Sequence, residues 1–406
     1  MERLISVLGI PGLLLIAFIF CKDRKRISYK TILGGIGLQF FFAVIVLRTR
    51  IGHEIFYWVG RGAEKLIGFT EAGSSFLFGD LMTVPKYGFI LAFQVLPVIV
   101  FFSSLSAILY YFGILQWVVR LMAHIFTRTL GLSGAESLSV AANVFVGMVE
   151  APILVRPYIA KMTESELFCV MSAGMATIAG SVMAAYIGIL QPHFPQVAGH
   201  ILSASLMSAP AAVVIAKIMI PESETPLTAG KVQVSQEKQD VNFIDAAARG
   251  AIDGVHLAIS VAAVLIAFIA LVAMVNSLFG LFGTSFETVL GWLFAPIAFM
   301  MGIPWKEAVQ VGSLLGQKTV LNEFVAYLNM AKGLASGELI LSGRSITIAT
   351  YALCGFANFG SLGIMIAGIS GMAPGRRHDL ARLGIRSIIS GSLAAFLTAT
   401  IAGILV

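Results

Sequence analysis

Two stretches place carboxylates deep inside otherwise apolar sequence. The first is Asn143-Val-Phe-Val-Gly-Met-Val-Glu150-Ala-Pro152, and the second is Asn322-Glu323-Phe-Val-Ala-Tyr327. An acid in the middle of a bilayer costs at least ~2.5 kcal/mol on the mildest scale, so an unpaired one has little reason to be there. Each Glu sits beside the end of a short helix, where free N–H groups and the positive dipole stabilise negative charge. Both can accept hydrogen bonds from a polar, uncharged substrate. Asn143 and Thr177 offer hard oxygen ligands, and unwound carbonyls of Val146 and Ile178 could complete a small cation cage. In a second break, Asn358 and Ser361 supply an amide and a hydroxyl, and Phe356 a flat face for a ring. Structural readings compete: acids satisfied by helix-end amides alone, and Asn or Thr side chains that merely hold helices together in lipid.

The surroundings of these residues are those of a membrane protein. Of 406 residues, 58% are hydrophobic and 12% charged, with a mean hydropathy of +0.92. A soluble domain carries about 25% charged residues, so the chain reads as all-α and polytopic. Its 41 glycines fit helices that approach closely through small side chains. Cys21, Cys169 and Cys354 form no CxxC, which argues against a disulfide framework or a zinc site. The net charge of +6 comes from basic residues clustered in loops, where they set topology rather than bind nucleic acid. There is no HExxH and no GxxxxGK[ST], so metalloprotease and ATP-driven chemistry are not indicated.

Eight spans are expected. Ile5–Phe20 reads as a retained first span, and Thr31–Leu47 as the second. The basic run Cys21-Lys-Asp-Arg-Lys-Arg26 between them belongs on the cytoplasmic side, which puts the amino terminus outside. Glu54–Ile67 reads as a helix lying in the interface, and Leu91–Val119 as a long third span. A re-entrant hairpin follows, with arms Ala135–Val146 and Ala151–Ile159, neither reaching the ~20 residues of a full crossing. Span four, Glu166–Leu190, carries a small, weakly helix-forming patch at residues 176–181 where it should break. Span five is Ile201–Ile220, and Pro221–Asn242 is a polar linker on the cytoplasmic side. Ile244–Gly254 is amphipathic, and span six runs Val255–Leu278. Pro296 should interrupt Phe286–Met301. A second hairpin, Trp305–Val320 and then Asn322–Tyr327, precedes span seven (Ser345–Gly371, interrupted at Gly355–Ser361). After the basic stretch from Arg376 to Arg386, span eight is Ile388–Val406, so both termini face outside.

Residues 91–220 and 255–406 follow one grammar: a long span, a short-helix hairpin tipped by Glu, a broken span, a final span. The first copy starts from outside and the second from inside. Inverted repeats with paired discontinuous helices point to a secondary transporter with a site at mid-membrane.

These residues resemble a known family, the concentrative nucleoside transporters, over nearly the whole chain. The resemblance rests on Ala142-Asn-Val-Phe-Val-Gly147 with Glu150-Ala-Pro152, on Asn322-Glu-Phe-Val-Ala-Tyr327 and on Cys354-Gly-Phe-Ala-Asn358, three motifs in order at the right spacing. It implies a homotrimer in a bacterial inner membrane that works as an elevator. Residues 1–120 and 221–285 would form the scaffold, the latter with the linker, amphipathic helix and span six. Residues 121–220 and 286–406 would form the two halves of the transport domain. By position, Met148, Val149 and Glu150 would face the nucleobase, with Val182 nearby. Glu323, Asn358 and Ser361 would hold the ribose hydroxyls, and Phe356 would pack on the sugar. Asn143, Val146, Thr177 and Ile178 would bind Na⁺ as the coupling ion, with no other cofactor. The partners implied are a nucleoside, the lipid bilayer and other copies of the chain.

The chain departs from the pyrimidine-accepting pattern at the first tip. Relatives of that kind commonly carry Gln and then Ser or Thr before the Glu, whereas this chain has Met148 and Val149. Apolar walls discriminate by shape, and Met adapts to a larger flat ring. Purine-preferring members are similar in having Met there, so a purine nucleoside is the expected cargo. The alternative on the same fold is a proton-coupled symporter of broad or pyrimidine specificity. From another class, an intramembrane enzyme could use two buried acids.

Overall fold

The computed structural model describes residues 2–82, 86, 90–230 and 240–406, and every regular element among them is helical. The early helices are α1 (Glu2–Ile19), α2 (Tyr29–Arg48) and α3 (Arg50–Phe78). After a short turn at Leu91–Gln94 come α4 (Leu96–Tyr111) and α5 (Ile114–Leu130). The first hairpin opens with α6 (Gly134–Ala142) and returns through single turns at Glu150–Ile153 and Arg156–Ile159. A broken helix follows, α7 (Glu164–Ala176) and α8 (Gly180–Leu190), then α9 (Val197–Met219) and α10 (Phe243–Phe279). The second copy is built from α11 (Phe286–Met300), α12 (Trp305–Val320), α13 (Glu323–Ser336), α14 (Gly343–Leu353), α15 (Phe359–Met372) and α16 (Arg377–Leu405).

Among the described residues, seven helical stretches are long and apolar enough to cross a bilayer. The α14–α15 pair, each half too short alone, is the eighth in our reading. Polar caps fix where the short helices start. Ser133 with Glu136 and Thr163 with Glu166 form capping boxes on α6 and α7, each satisfying two orphan N–H groups. Asn322 and Asn358 cap α13 and α15 in the same manner.

Several boundaries differ from the sequence reading. The third span does not run from Leu91 to Val119: Gly113, at φ 78°, turns the chain and α5 leaves in a new direction. The first arm of hairpin one ends at Ala142, four residues early, because Asn143 caps it and the chain unwinds toward Glu150. The amphipathic stretch and span six are one continuous helix of 37 residues. Pro296 does not interrupt α11; the chain instead bends by 117° between α11 and α12. A proline's missing N–H and its clash are tolerated in membrane helices when neighbours adjust. The interfacial stretch is longer than expected, and the last span begins eleven residues sooner, at Arg377. Residues 231–239 of the linker lie outside the described residues. Its Thr228 is docked, accepting from Gly134 N at 2.9 Å and from Ala135 N at 3.0 Å to cap α6.

The basic loops gather at one end. Lys22 and Arg382 both pair with Glu164, and Arg376 reaches the carbonyl of Met162 at 2.7 Å. At the other end Arg3 meets the carbonyl of Val406 at 2.6 Å. The first and last residues described therefore share a side opposite the basic loops, as the charge pattern requires.

Burial divides the spans into two classes. The α7–α8 pair, α9 and α16 have 94, 89 and 83% of their most apolar windows buried, against 22, 28, 17 and 18% for α1, α2, the 91–111 stretch and α10. The first class forms the interior. The second presents apolar faces outward, which in a bilayer meet lipid or other protein.

Candidate functional site

The two broken helices cross, and the crossing is pinned by backbone. Phe356 N donates to Thr177 O at 3.3 Å, so the α14–α15 break touches the α7–α8 break. Gly355 makes this approach possible. Its φ is 150°, and a Cβ there would lie 2.9 Å from Ala176 O. From the other side, Gly180 N donates to Phe145 O at 3.0 Å and ties the first hairpin tip to the same crossing.

Hairpin one leaves oxygens without donors. Asn143 is 1% exposed; its Nδ2 donates to Ser139 O at 3.0 Å, but its Oδ1 is buried with no partner. An unsatisfied buried polar group costs about 1–3 kcal/mol, so this one calls for a ligand. Thr177 Oγ1 donates to Ala173 O at 2.8 Å and keeps its lone pairs. Among the described residues, no backbone N–H is bonded to the carbonyls of Val146 or Ile178. An amide oxygen, a hydroxyl and two free carbonyls around two helix C-termini fit a small hard cation.

Glu150 is the first residue of its helical turn and is exposed, opening into a cavity of about 220 Å³. The cavity lies between the first tip (Val146, Gly147), Ser181 of α8, and Tyr110, Arg249 and Asp253 of the outward-facing spans. Gly147 lies directly beneath the acid, and a Cβ there would displace the Glu150 carboxylate from its present position.

Glu323 is the opposite case. It is 5% exposed, and both carboxylate oxygens are engaged: Oε1 accepts from Tyr186 Oη at 2.7 Å and Oε2 from Asn358 Nδ2 at 2.9 Å. Asn358 Oδ1 accepts in turn from Ser361 N at 2.8 Å, so the capping amide also orients the acid. Phe356 is half-buried beside this network. The two acids are linked through α8, where Ser181 faces the cavity and Tyr186 lies about 7.5 Å further along the axis.

The structure thus brings Glu323, Asn358 and Ser361 into one network, and Val146 and Glu150 to one cavity. Met148 and Val149 are packed otherwise. A Cβ on Gly174 would come within 2.8 Å of Met148 Cβ, and one on Gly368 within 2.6 Å of a Val149 methyl. These tip residues therefore pack on α7 and α15 and do not line the cavity with Glu150. Val182, 3% exposed, sits on α8 between Ser181 and Tyr186. Sequence reading missed Tyr186 and Lys318, a fully buried lysine in the last turn of α12. The signal for both was a hydrogen-bonding group inside an apolar helix next to a break.

Two discontinuous helices crossing beside acid-tipped hairpins define a membrane-spanning carrier, and the comparisons with known proteins agree. Family models described as Na⁺ dependent nucleoside transporter match residues 8–81 (N-terminus) and 200–403 (C-terminus), and one described as nucleoside recognition matches 92–193. Solute carrier family 28 member 3 of Mus musculus is 43% identical over all of this chain, which spans 59% of that protein's length. The transporter YutK of Bacillus subtilis is 42% identical over the full length of both proteins. CNTnw in an inward-facing, substrate-bound state overlays with a TM-score of 0.94 at 43% identity, covering 100% of this chain and 99% of that one. A CNTnw variant in an outward-facing state overlays with the same TM-score at 42% identity, again covering 100% and 99%. The chain belongs to the Na⁺-dependent nucleoside transporter family, a family of transporters and not of enzymes.

Proposed function

We propose that the chain imports nucleosides by Na⁺ symport, with a preference for purines. The observation that carries the reading is the buried, partnerless Oδ1 of Asn143 beside Thr177 at the crossing of the broken helices. A single mobile Na⁺ there neutralises the unwound tip and makes the site competent for a neutral substrate. Glu323, fixed by Tyr186 and Asn358, retains lone pairs for ribose hydroxyls, and Ser361 and Phe356 complete the sugar pocket. Glu150 reads the base. The purine preference is supported by what the tip lacks: Met148 and Val149, packed on α7 and α15, leave no amide or hydroxyl beside Glu150 to bond a pyrimidine edge.

Movement follows the burial classes. The poorly buried spans α1, α2, α4 and α10 form the scaffold and the contacts of a homotrimer, while the hairpins, α7–α9 and α14–α16 travel as an elevator. Relatives solved in inward- and outward-facing states on this fold support such a carrier. One Na⁺ crossing 100 mV contributes ~2.3 kcal/mol, and a tenfold Na⁺ gradient ~1.4 kcal/mol. Together these permit accumulation of roughly several-hundred-fold. The basic loops face the cytoplasm of a bacterial inner membrane.

The test is uptake of a nucleoside panel into proteoliposomes with NaCl or choline chloride, repeated with Met148→Gln. Na⁺-dependent uptake of inosine and guanosine over uridine is expected, with uridine gaining in the variant. Uptake that ignores Na⁺ and follows external pH would overturn the coupling, and uridine rates matching inosine would overturn the preference.

A further inference from the structure

The two repeats share one construction, and each buries a lysine. Lys217 of the first is ion-paired with Glu136 of α6, away from the tip, whereas among the described residues the second alone places a buried cation at the hairpin junction. In each, the hairpin arm before the tip ends beside the C-terminal end of the first half of the broken helix, and a Glu opens the next helix. In the first repeat this junction holds Asn143 and Thr177, with an oxygen lacking any donor. In the second it holds Lys318, whose ammonium donates to Ala352 O at 2.8 Å, one residue before α14 ends.

Lys318 is 0% exposed, and among the described residues this is its one hydrogen bond. An ammonium stripped of water needs negative potential around it. Here the C-terminal end of α14 turns its negative end toward it through the carbonyl of Ala352. The ring of Phe396 lies 6.0 Å away, and the charge of Glu323 interacts with it without forming an ion pair. The cation of the second repeat thus sits at the corresponding junction, between the arm before the tip and the end of the first half of the broken helix, although the residues that form it are not at matching positions.

We propose that Lys318 is a tethered cation. Its ammonium holds in the second repeat the place that the first repeat fills with an ion from solution. The chain then needs one mobile cation per substrate, because the other is built into α12. Lys318 acts as a positioning residue: it closes the α14 end and sets a positive charge behind the tip that carries Glu323. The assignment rests on the Na⁺ reading of Asn143 and Thr177 for its counterpart, but not for its test.

The experiment is inosine uptake, with charge moved per inosine, in proteoliposomes of wild type, K318M, K318A and K318R. Wild type should move one net charge per inosine. Losing the buried charge should cut uptake at least ~100-fold in K318M and K318A, with K318R much closer to wild type. Ethylammonium chloride should restore K318A at least ~10-fold, and tetramethylammonium, too large and without N–H donors, should not. K318M uptake within a few-fold of wild type, or a folded K318A that ethylammonium leaves inactive, would overturn the proposal. If neither neutral variant elutes as a folded protein, K318M/E323Q decides. Recovery of folding on removing both charges supports a buried charge at Lys318 balanced against Glu323, and continued failure overturns it. Wild-type uptake that ignores Na⁺ would sink the symport reading alone, since amine rescue of K318A still tests Lys318.

Discussion

The two hairpin tips start from the same elements and reach opposite electrostatic solutions. At the first, seven residues from Asn143 to Val149 are non-helical, an amide oxygen has no donor and Glu150 opens into a cavity. At the second, Leu321 and Asn322 alone separate α12 from α13, and Glu323 is buried with both oxygens bonded. The first tip is incomplete as protein, with an oxygen left open. The second is finished by its own Tyr186, Asn358 and Lys318. One tip is thus open and the other pre-organised by its own side chains.

The sharpest way to break this comparison is to neutralise both acids in turn. Glu323→Gln disrupts a buried network of charge-assisted bonds and should cost about 3–4 kcal/mol, a several-hundred-fold fall in kcat/KM for inosine uptake. Glu150→Gln, already facing the cavity, should cost only about tenfold. Equal losses would mean that the tips are not different in kind. Next in size, Gly355→Ala forces a side chain into φ 150° and against Ala176 O, and should destabilise the purified protein by about 3 kcal/mol. An unchanged melting temperature would remove the crossing from the argument. Tyr186→Phe deletes one hydrogen bond to a carboxylate and should lower inosine affinity by about 2 kcal/mol, roughly thirtyfold, with Na⁺ dependence intact. Smallest, Asn143→Ala should raise the Na⁺ concentration for half-maximal uptake about tenfold, ~1.4 kcal/mol, and leave the inosine response at saturating Na⁺ little altered. If Na⁺ dependence were untouched, the unpartnered oxygen would have some other purpose.

Much of the site was legible because membrane sequence punishes exceptions. A Glu, an Asn or a run of small residues inside an apolar span has few harmless explanations, so both breaks and both acid tips stood out. Span four was expected to break within residues 176–181 and breaks at 177–179; span seven was expected to break at 355–361 and breaks at 354–358. Direction was less legible. Met148 and Val149 sit at the tip as their order in the chain requires, yet their side chains pack on Gly174 and Gly368, glycines distant in sequence. Tyr186 and Lys318 were passed over because a hydrogen-bonding group near a break does not by itself tell a partnered tyrosine or lysine from a tolerated one. Helix joints failed for a similar reason: residues 91–119 read as one span and Pro296 as an interruption, whereas the chain turns at Gly113 and α11 runs through Pro296.

The sequence by itself determined that this is a helical membrane protein with two oppositely inserted copies of one plan, and it determined which residues are costly to keep in lipid. That information is local, since the price of a charge or a broken turn in hydrocarbon is set by the residue and its neighbours. Only the tertiary structure decided which costs are met from within. Glu323 is satisfied by Tyr186 and Asn358, which lie 137 and 35 residues away in the chain, whereas Asn143 Oδ1 is left open. Satisfaction of a buried group depends on what packing brings within about 3 Å, and no periodicity along the chain encodes that distance.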